Sequence, residues 1–425
     1  MCFVEKIKNK EMKNKAILNL LFLTILSPII LGWCQETFHS SLLASVFSLV
    51  DELFVLFLLV LTLVTKKTKC NKKTALLIIA LWIIGLLSGA NSKFNLLINL
   101  LGGFNVCKSM ILYWCLCQYF FTNNEIDNFV KKITQLLPFI FVTYIIEFFF
   151  TGFRPFLGFE TQGLQYRNGL RCFGGIFSRF TYASLFGLLY YIIYTRFCLL
   201  KTSTKKSYFG IFMVTATLKI KDIFGIIIVY ICSKFKKIKA IYIIPIFVMV
   251  ISLTSAYEFF FPEHYNTYFG EDADGAVRNI MTYTGIKIVR DYFPLGVGWG
   301  KFGSATSAQY VSEIYQTYGI EGLWGLDYDG NHSFMQDTQW PMFLGETGFL
   351  GTFVFLTILY VAFSPYLKTF FNNTKDKISA IPAMLFIYFI VVSIGKPVFV
   401  AVPHSYVLWG FAGIFYNNIK NIQNK

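Results

Sequence analysis

The chain is built from long uninterrupted apolar runs that are separated by short polar stretches. Each run is about 20 residues long, which as a helix is enough to cross the hydrocarbon core of a bilayer. The runs are continuous rather than alternating, which excludes an outer-membrane β-barrel. The pattern predicts an all-α, polytopic integral membrane protein with about 10–12 transmembrane helices. The predicted spans lie near 16–34, 41–64, 74–90, 94–121, 129–151, 176–200, 240–256, 339–364, 378–395 and 401–417.

One region, residues 208–233, is apolar but interrupted. Its two pieces, 208–218 and 222–233, are each about 11 residues long, too short to cross as a regular helix. A single crossing would place the lysines of 233–239 outside, against the positive-inside rule, whereas a hairpin that enters and returns keeps them in the cytoplasm. The sequence therefore predicts a broken hairpin, whose backbone must line a cavity or pack on protein.

The same rule sets the orientation of the chain. The basic N-terminal segment and the C-terminus are predicted to be cytoplasmic, and the loops 152–175 and 257–338 to face outward. The chain thus divides into transmembrane helices at 1–256, a large extracytoplasmic loop at 257–338, and C-terminal helices at 339–425. Within the loop, Met281, Gly285 and Ile288 have helical spacing and predict a short amphipathic helix, which either lies on the membrane or covers a site. The segment GVGWGKFG that follows is interpreted as a flexible turn.

Composition and charge support the membrane class. Of the 425 residues, 55% are hydrophobic and only 14% are charged, whereas soluble domains carry about 25% charged residues. The net charge of +15 comes from lysines between the apolar runs, where topology places them, so nucleic-acid binding is not indicated. The nine cysteines show neither a disulfide framework nor a zinc motif. No cleavage site follows the N-terminal apolar run, which predicts a retained first span.

Ionisable residues within the spans need an explanation, because each costs about 2.5–3.5 kcal/mol or more on insertion scales. Asp51 and Glu52 in one run and Lys108 in another are predicted to form an interior ion pair, with a substrate contact as the alternative. Glu147 is expected at the interface. The hairpin-tip lysines Lys219 and Lys221 are either a solvated tip or a cationic site beside anionic lipid head groups.

Arginines occur in both outward loops, where the positive-inside rule would deplete them. The planar guanidinium binds phosphate in a bidentate manner, so a pyrophosphate-bearing lipid would account for their presence. These arginines are Arg154, Arg167, Arg171, Arg179, Arg278 and Arg290.

Four motifs resemble those of the O-antigen polymerase and O-antigen ligase superfamily. LRCFGGIFSRFTYASLFGLLYY carries Arg171 in an arginine–glycine segment, and TATLKIKDIFG is similar to a Thr-x-Ser-Arg hairpin with Lys219 at the arginine. RNIMTYTGIKIVRDYFPLGVGWGKFG matches a loop arginine at Arg278 followed by a Pro-x-Gly-x-Gly turn. DTQWPMFLGETGFLG resembles the ligase signature, with Asp337 at the ligase histidine.

The resemblance implies a GT-C-like fold and an inverting glycosyltransferase on the outer face of the bacterial inner membrane. It would polymerise polyprenyl-pyrophosphate-linked oligosaccharide repeat units into O-antigen, capsule or exopolysaccharide, with no metal or other cofactor. Its expected partners are the lipid-linked oligosaccharides, membrane lipids, a chain-length regulator and a flippase, and no nucleic acid. Alternatives are a ligase acting on lipid A core, which expects histidine at 337, a transporter or flippase of lipid-linked sugars, and a membrane scaffold.

The resemblance and the residue chemistry together predict which residues form the active site. The base that activates the acceptor hydroxyl is either Asp337, by register, or His332, by its near-neutral pKa. Glu346 is expected to hydrogen-bond the broken hairpin rather than to catalyse. The pyrophosphate would be bound by Arg171, Arg278, Arg290, Lys219 and Lys221, and the sugars by Trp324, Tyr328 and Trp340.

Overall fold

The described residues of the chain fold mostly into helices. The structure, a computed structural model, describes residues 2–65, 71–92, 95–159, 166–167, 170–197, 204–235, 277–310, 312–323, 325–326, 334–336, 338–373 and 376–423. Within these ranges seven helical segments are long and apolar enough to cross a membrane, which makes the protein an all-α polytopic membrane protein. They are Glu11–Thr37, Ser41–Val64, Lys72–Asn91, Leu96–Cys117, Asn123–Phe149, Trp340–Asn372 and Lys377–Gly395.

Residues 2–171 hold eight α-helices and a short strand pair among their described positions. The strands β1 (Tyr166–Arg167) and β2 (Leu170–Arg171) pair antiparallel. The helices are α1 (Cys2–Gly32), α2 (Ser41–Ser48), α3 (Val50–Val64), α4 (Lys72–Ser88), α5 (Leu96–Cys117), α6 (Asn123–Gln135), α7 (Leu137–Phe149) and α8 (Phe153–Phe156).

From residue 180 onward, the described residues form α-helices of very unequal length. They are α9 (Phe180–Ile192), α10 (Thr204–Thr215), α11 (Ile220–Lys234), α12 (Val277–Asp291), α13 (Ala305–Tyr310), α14 (Ile314–Thr317), α15 (Trp340–Asn372), α16 (Lys377–Val392) and α17 (His404–Gln423).

Several predicted spans are interrupted or lie elsewhere. The run at 41–64 is divided at Leu49 into α2 and α3, and the run at 129–151 is divided at Leu136, just before Pro138 in the first turn of α7. The predicted span 176–200 contains the 13-residue α9, followed by a π-helical turn at Ile193–Phe197. The predicted span 240–256 lies outside the described residues.

The interrupted region forms two helices that contact each other, α10 and α11, joined by a turn at residues 216–218. Leu218 in this turn has a φ of 51°. The backbones of α9 and α10 approach closely, since a Cβ on Gly187 would lie 2.7 Å from the carbonyl oxygen of Gly210. Glycines permit such contact between membrane helices. This packing fixes the position of the turn and of the lysines that follow it.

The predicted interior ion pair is confirmed. The Nζ of Lys108 lies 2.5 Å from Oδ2 of Asp51 and 2.6 Å from Oε1 of Glu52. Lys108 and Asp51 are buried between α3 and α5, so each charge offsets the desolvation cost of the other.

The glycine-rich segment after Pro294 is part of the buried interior, which contradicts its interpretation as a flexible turn. Every residue from 296 to 304 is buried. The ring of Trp299 is fully enclosed, and its Nε1 donates to the carbonyl of Trp82 on α4 at 3.1 Å. A Cβ at Gly85 or Gly103 would lie within 2.8 Å of that ring. The segment therefore packs between α4 and α5.

Glu346 holds this segment, which corrects the expectation that it partners the broken hairpin. Its Oε1 accepts hydrogen bonds from the backbone N–H groups of Lys301 (3.0 Å) and Phe302 (3.2 Å). The carbonyl of Glu346 accepts a further bond from Gly298 at 2.9 Å. A carboxylate is a strong acceptor for orphan backbone amides, so Glu346 is a structural residue of α15.

Candidate functional site

Two of the nominated cations meet at one glycine. The Nζ of Lys221, in the first turn of α11, donates to the carbonyl of Gly395. A Cβ on Gly395 would lie 3.3 Å from that Nζ and 3.8 Å from Cζ of Arg278, near the start of α12. The tip of the α10–α11 pair, the helix of the predicted outer loop, and the turn after α16 therefore converge on one point.

Further cations surround this point. Burial lowers the pKa of Lys396, and the neighbouring charges of Lys219, Lys221 and Arg179 lower it further, while Asp222 acts in the opposite direction. We call Arg179, Lys219, Lys221, Arg278 and Lys396 the cationic cluster. Because like charges oppose one another at such a place, the cluster is suited to bind a polyanion.

Aromatic and imidazole rings form one wall of the cluster. The Nζ of Lys396 lies 5.7 Å from the ring centroid of Tyr182, within the range of a cation–π contact. The ring of His404, at the start of α17, lies 6.2 Å from the Tyr182 ring on α9. These contacts tie Lys396 to α9 and α17.

A buried Glu–Arg framework holds the segment that leads to Arg179. Oε2 of Glu147 accepts the N–H groups of Gly174 (3.0 Å) and Gly175 (2.6 Å). Arg154 is completely buried and donates to the carbonyls of Phe177 (2.9 Å) and Ser178 (3.0 Å). Glu147 is therefore not interfacial as expected, and Arg154 is a framework residue whose Nη1 and Nη2 groups donate to backbone carbonyls.

The remaining nominated cations are Arg171 and Arg290. Arg171 donates from Nη2 to the carbonyl of Glu147 at 2.8 Å and packs on Phe173. Arg290 is exposed beside Asp291 and lies twelve residues from Arg278 on α12, about 18 Å along the axis. Lys219 belongs to the cluster, whereas Arg290 lies away from it.

The nominated base and sugar residues fall mostly outside the described part of the chain. His332, Asp337, Trp324 and Tyr328 are not among the described residues. Trp340 is half-buried, and its Nε1 donates to the hydroxyl of Ser393 at 3.1 Å, which connects α15 to the turn that precedes Lys396.

Sequence reasoning overlooked Lys396 as a site residue. The available signal was its position in the short loop between the apolar runs 378–395 and 401–417, which the predicted topology places outside, where lysines are depleted. Arg179 was noted as an outward arginine but not assigned to the site, because only the fold brings it beside Lys396.

No protein-family model matches the chain, and no curated protein matches it. Within the described ranges, no three His, Cys, Asp or Glu side chains converge as a metal site would require. The fold and the site together define a polytopic helical membrane protein with a cationic cluster assembled from four separate segments.

Proposed function

We propose that this protein polymerises polyprenyl-pyrophosphate-linked oligosaccharide repeat units on the outer face of the bacterial inner membrane. The observation that carries the proposal is the convergence of Lys221 and Arg278 on Gly395, with Lys396 close by. The proposal includes a GT-C-like arrangement, with the chain around α12 facing outward.

The charge of the cluster supports a pyrophosphate ligand. Arginine offers a bidentate fork and lysine a compact point charge, and both donate charge-assisted hydrogen bonds to phosphate oxygens. Fixed cations in a partly desolvated site stabilise the negative charge that develops on a leaving group. Burial and like charges lower the pKa of Lys396, and a bound anion would raise that pKa and favour the protonated form.

The proposed reaction is a single displacement at the anomeric carbon. The acceptor hydroxyl oxygen forms a bond to that carbon, and the bond from the carbon to the pyrophosphate oxygen breaks. The electron pair leaves with the lipid pyrophosphate, whose charge the cluster neutralises, and configuration inverts. The hydroxyl proton passes to a base, for which Asp337 and His332 stay the candidates.

The deciding experiment follows lipid-linked intermediates in a deletion strain carrying plasmid-borne variants. We expect Arg278→Ala and Lys221→Ala to reduce polymer about 10²–10³-fold, as removal of a charge-stabilising donor does, and to leave single repeat units attached to lipid A core. Lys287→Ala, which removes an exposed cation from the same helix, serves as the matched control. The measurement is the polysaccharide ladder together with the lipid extract.

The same extract separates the rival functions. Polymer retained on polyprenyl lipid would indicate a ligase, and loss of even single attached units would indicate a flippase. Full-length polymer in both alanine variants would remove the cationic cluster from the mechanism.

A further inference from the structure

A cleft adjoins the cationic cluster. It has a volume of about 310 Å³ and lies between the end of α1, the start of α9 and Gln336. We propose that it is a binding subsite for a neutral sugar ring of the lipid-linked acceptor, an inference that rests on the proposed function. Glu36, Gln35, Gln336 and Arg179 would hydrogen-bond the sugar hydroxyls there.

The walls of this cleft are fixed by specific contacts. A π-helical turn at Trp33–Thr37 ends α1 and displays Gln35 and Glu36, and such turns are frequent at functional sites. Nε1 of Trp33 donates to the carbonyl of Ile176 at 2.9 Å. A Cβ at Gly32 would lie 2.2 Å from Oγ of Ser178, so only glycine allows α1 to approach this closely.

The lining chemistry favours a neutral polyhydroxylated ligand. Gln35 and Gln336 offer amide donors and acceptors, Glu36 offers acceptors, and Arg179 offers donors. The charges of the Glu36 carboxylate and the Arg179 guanidinium cancel. Glu36 would repel an anionic ligand and Arg179 would repel a cationic ligand. Among the described residues no hydrogen bond uses these four side chains, and they are available to a ligand.

Apolar groups complete the cleft. Pro28 and Leu31 of α1 line it together with Tyr182, which suits the C–H faces of a pyranose. Small-molecule sites have volumes of about 300–1,000 Å³, and this cleft lies at the small end of that range. Its size therefore fits a monosaccharide unit rather than a polymer.

The cleft and the cationic cluster share residues. Arg179 lines the cleft and also acts on the charge of Lys396. Tyr182 lines the cleft and carries Lys396 over its ring. The cleft and the cluster are therefore parts of one continuous site, in which an acceptor sugar in the cleft would lie close to the donor sugar of a lipid pyrophosphate on the cluster, the proximity that glycosyl transfer requires.

Binding is tested directly with the soluble repeat-unit oligosaccharide, released from its lipid by mild acid. We expect it to slow maleimide labelling of Gln35→Cys at least five-fold and to leave Ser41→Cys unaffected, since Ser41 is exposed outside the cleft. Equal labelling of Gln35→Cys with and without the oligosaccharide would overturn the subsite.

Kinetics in nanodiscs with purified lipid-linked repeat units provide the second arm. We expect Glu36→Gln and Gln336→Ala to raise KM five- to twenty-fold with kcat within two-fold, and Gln316→Ala, an exposed residue of α14, to change neither. Unchanged KM in both cleft variants contradicts the inference.

The failures of the two proposals are distinguishable. If the wild-type protein makes no polymer while the oligosaccharide still protects Gln35→Cys, the polymerase proposal fails and the sugar site stands. If the wild-type protein makes polymer while protection and KM effects are absent, the sugar subsite alone fails.

Discussion

Lys396 shows how a single residue acquires its chemistry from the fold. Its side chain is half-buried beside Lys219, Lys221 and Arg179, and these surroundings lower its pKa. A lysine in this setting exchanges a proton more readily than an exposed lysine does. Its protonation is therefore coupled to the arrival of an anion.

This coupling predicts a pH dependence. A bound pyrophosphate raises the lowered pKa of Lys396, so binding takes up a proton, and affinity for a polyprenyl pyrophosphate falls as pH rises through the pKa of the free protein. Lys396→Arg stays charged throughout this range and is expected to bind with a shallower pH dependence. Isothermal titration in buffers of different ionisation enthalpy measures the proton uptake. Identical pH profiles for the two proteins would contradict this role.

At the scale of single residues, the interactions of some side chains can be predicted from the sequence and those of others cannot. Lys108 was predictable, because a charge in a hydrocarbon span needs a partner and Asp51 lies at similar depth. Glu147 and Arg154 were misread, because their partners are backbone groups of residues 174–178, and hydropathy carries no information about such partners.

The long helix α15 is shaped by one glycine. Gly348 has a φ of 66° and a ψ of −162°, which divides α15 into two helical parts. A Cβ at this position would lie 2.2 Å from the backbone of Leu295. The kink at Gly348 thus leaves room for the glycine-rich segment after Pro294. Glu346, half a turn earlier in α15, accepts hydrogen bonds from the backbone of that segment.

Substitutions of Glu346 in α15 should lower the stability of the fold rather than act directly on the reaction. Glu346→Ala leaves two buried amides unpaired, and each costs about 1–3 kcal/mol, so we expect a clearly lower thermal midpoint in detergent. Glu346→Gln keeps a carbonyl acceptor and should lose less, and Leu356→Ala on an exposed face of α15 is the control. A Glu346→Ala protein with normal stability and no activity would instead assign Glu346 to the reaction.

The prediction of helices from the sequence succeeded where the length of an apolar run determines the helix. The runs beginning at 74, 94 and 378 correspond to α4, α5 and α16 within a few residues. It failed for the segment after Pro294, because burial there depends on glycines of α4 and α5 that are about 200 residues away in the chain.

At the scale of the whole molecule, the cluster is an assembly of distant segments. Arg179, Lys221, Arg278 and Lys396 belong to four different parts of the chain. Charge placement in the sequence selects Lys221 and Arg278 as candidates, but only the fold brings both of them beside Gly395.

The two ends of the helix bundle should face opposite sides of the membrane. The Nζ of Lys132 donates to Asn19 on α1, so the end of α6 lies level with Asn19, about 24 Å along α1 from Gln35. We expect an impermeant maleimide to label Ser41→Cys in intact spheroplasts and to label Gln135→Cys only after lysis. The parent chain, whose described cysteines are buried, is the blank. The reverse pattern would place the cationic cluster in the cytosol.

The crowding of positive charge around Gly395 has a thermodynamic consequence. Repulsion among neighbouring cations lowers the free energy of unfolding, and an anion that binds only the native form raises it by an amount that grows with the anion's concentration relative to its Kd. Purification that removes phospholipid and polyprenyl carrier therefore removes anions that stabilise the folded protein. The stability of the isolated protein then depends on how much of these lipids stays bound.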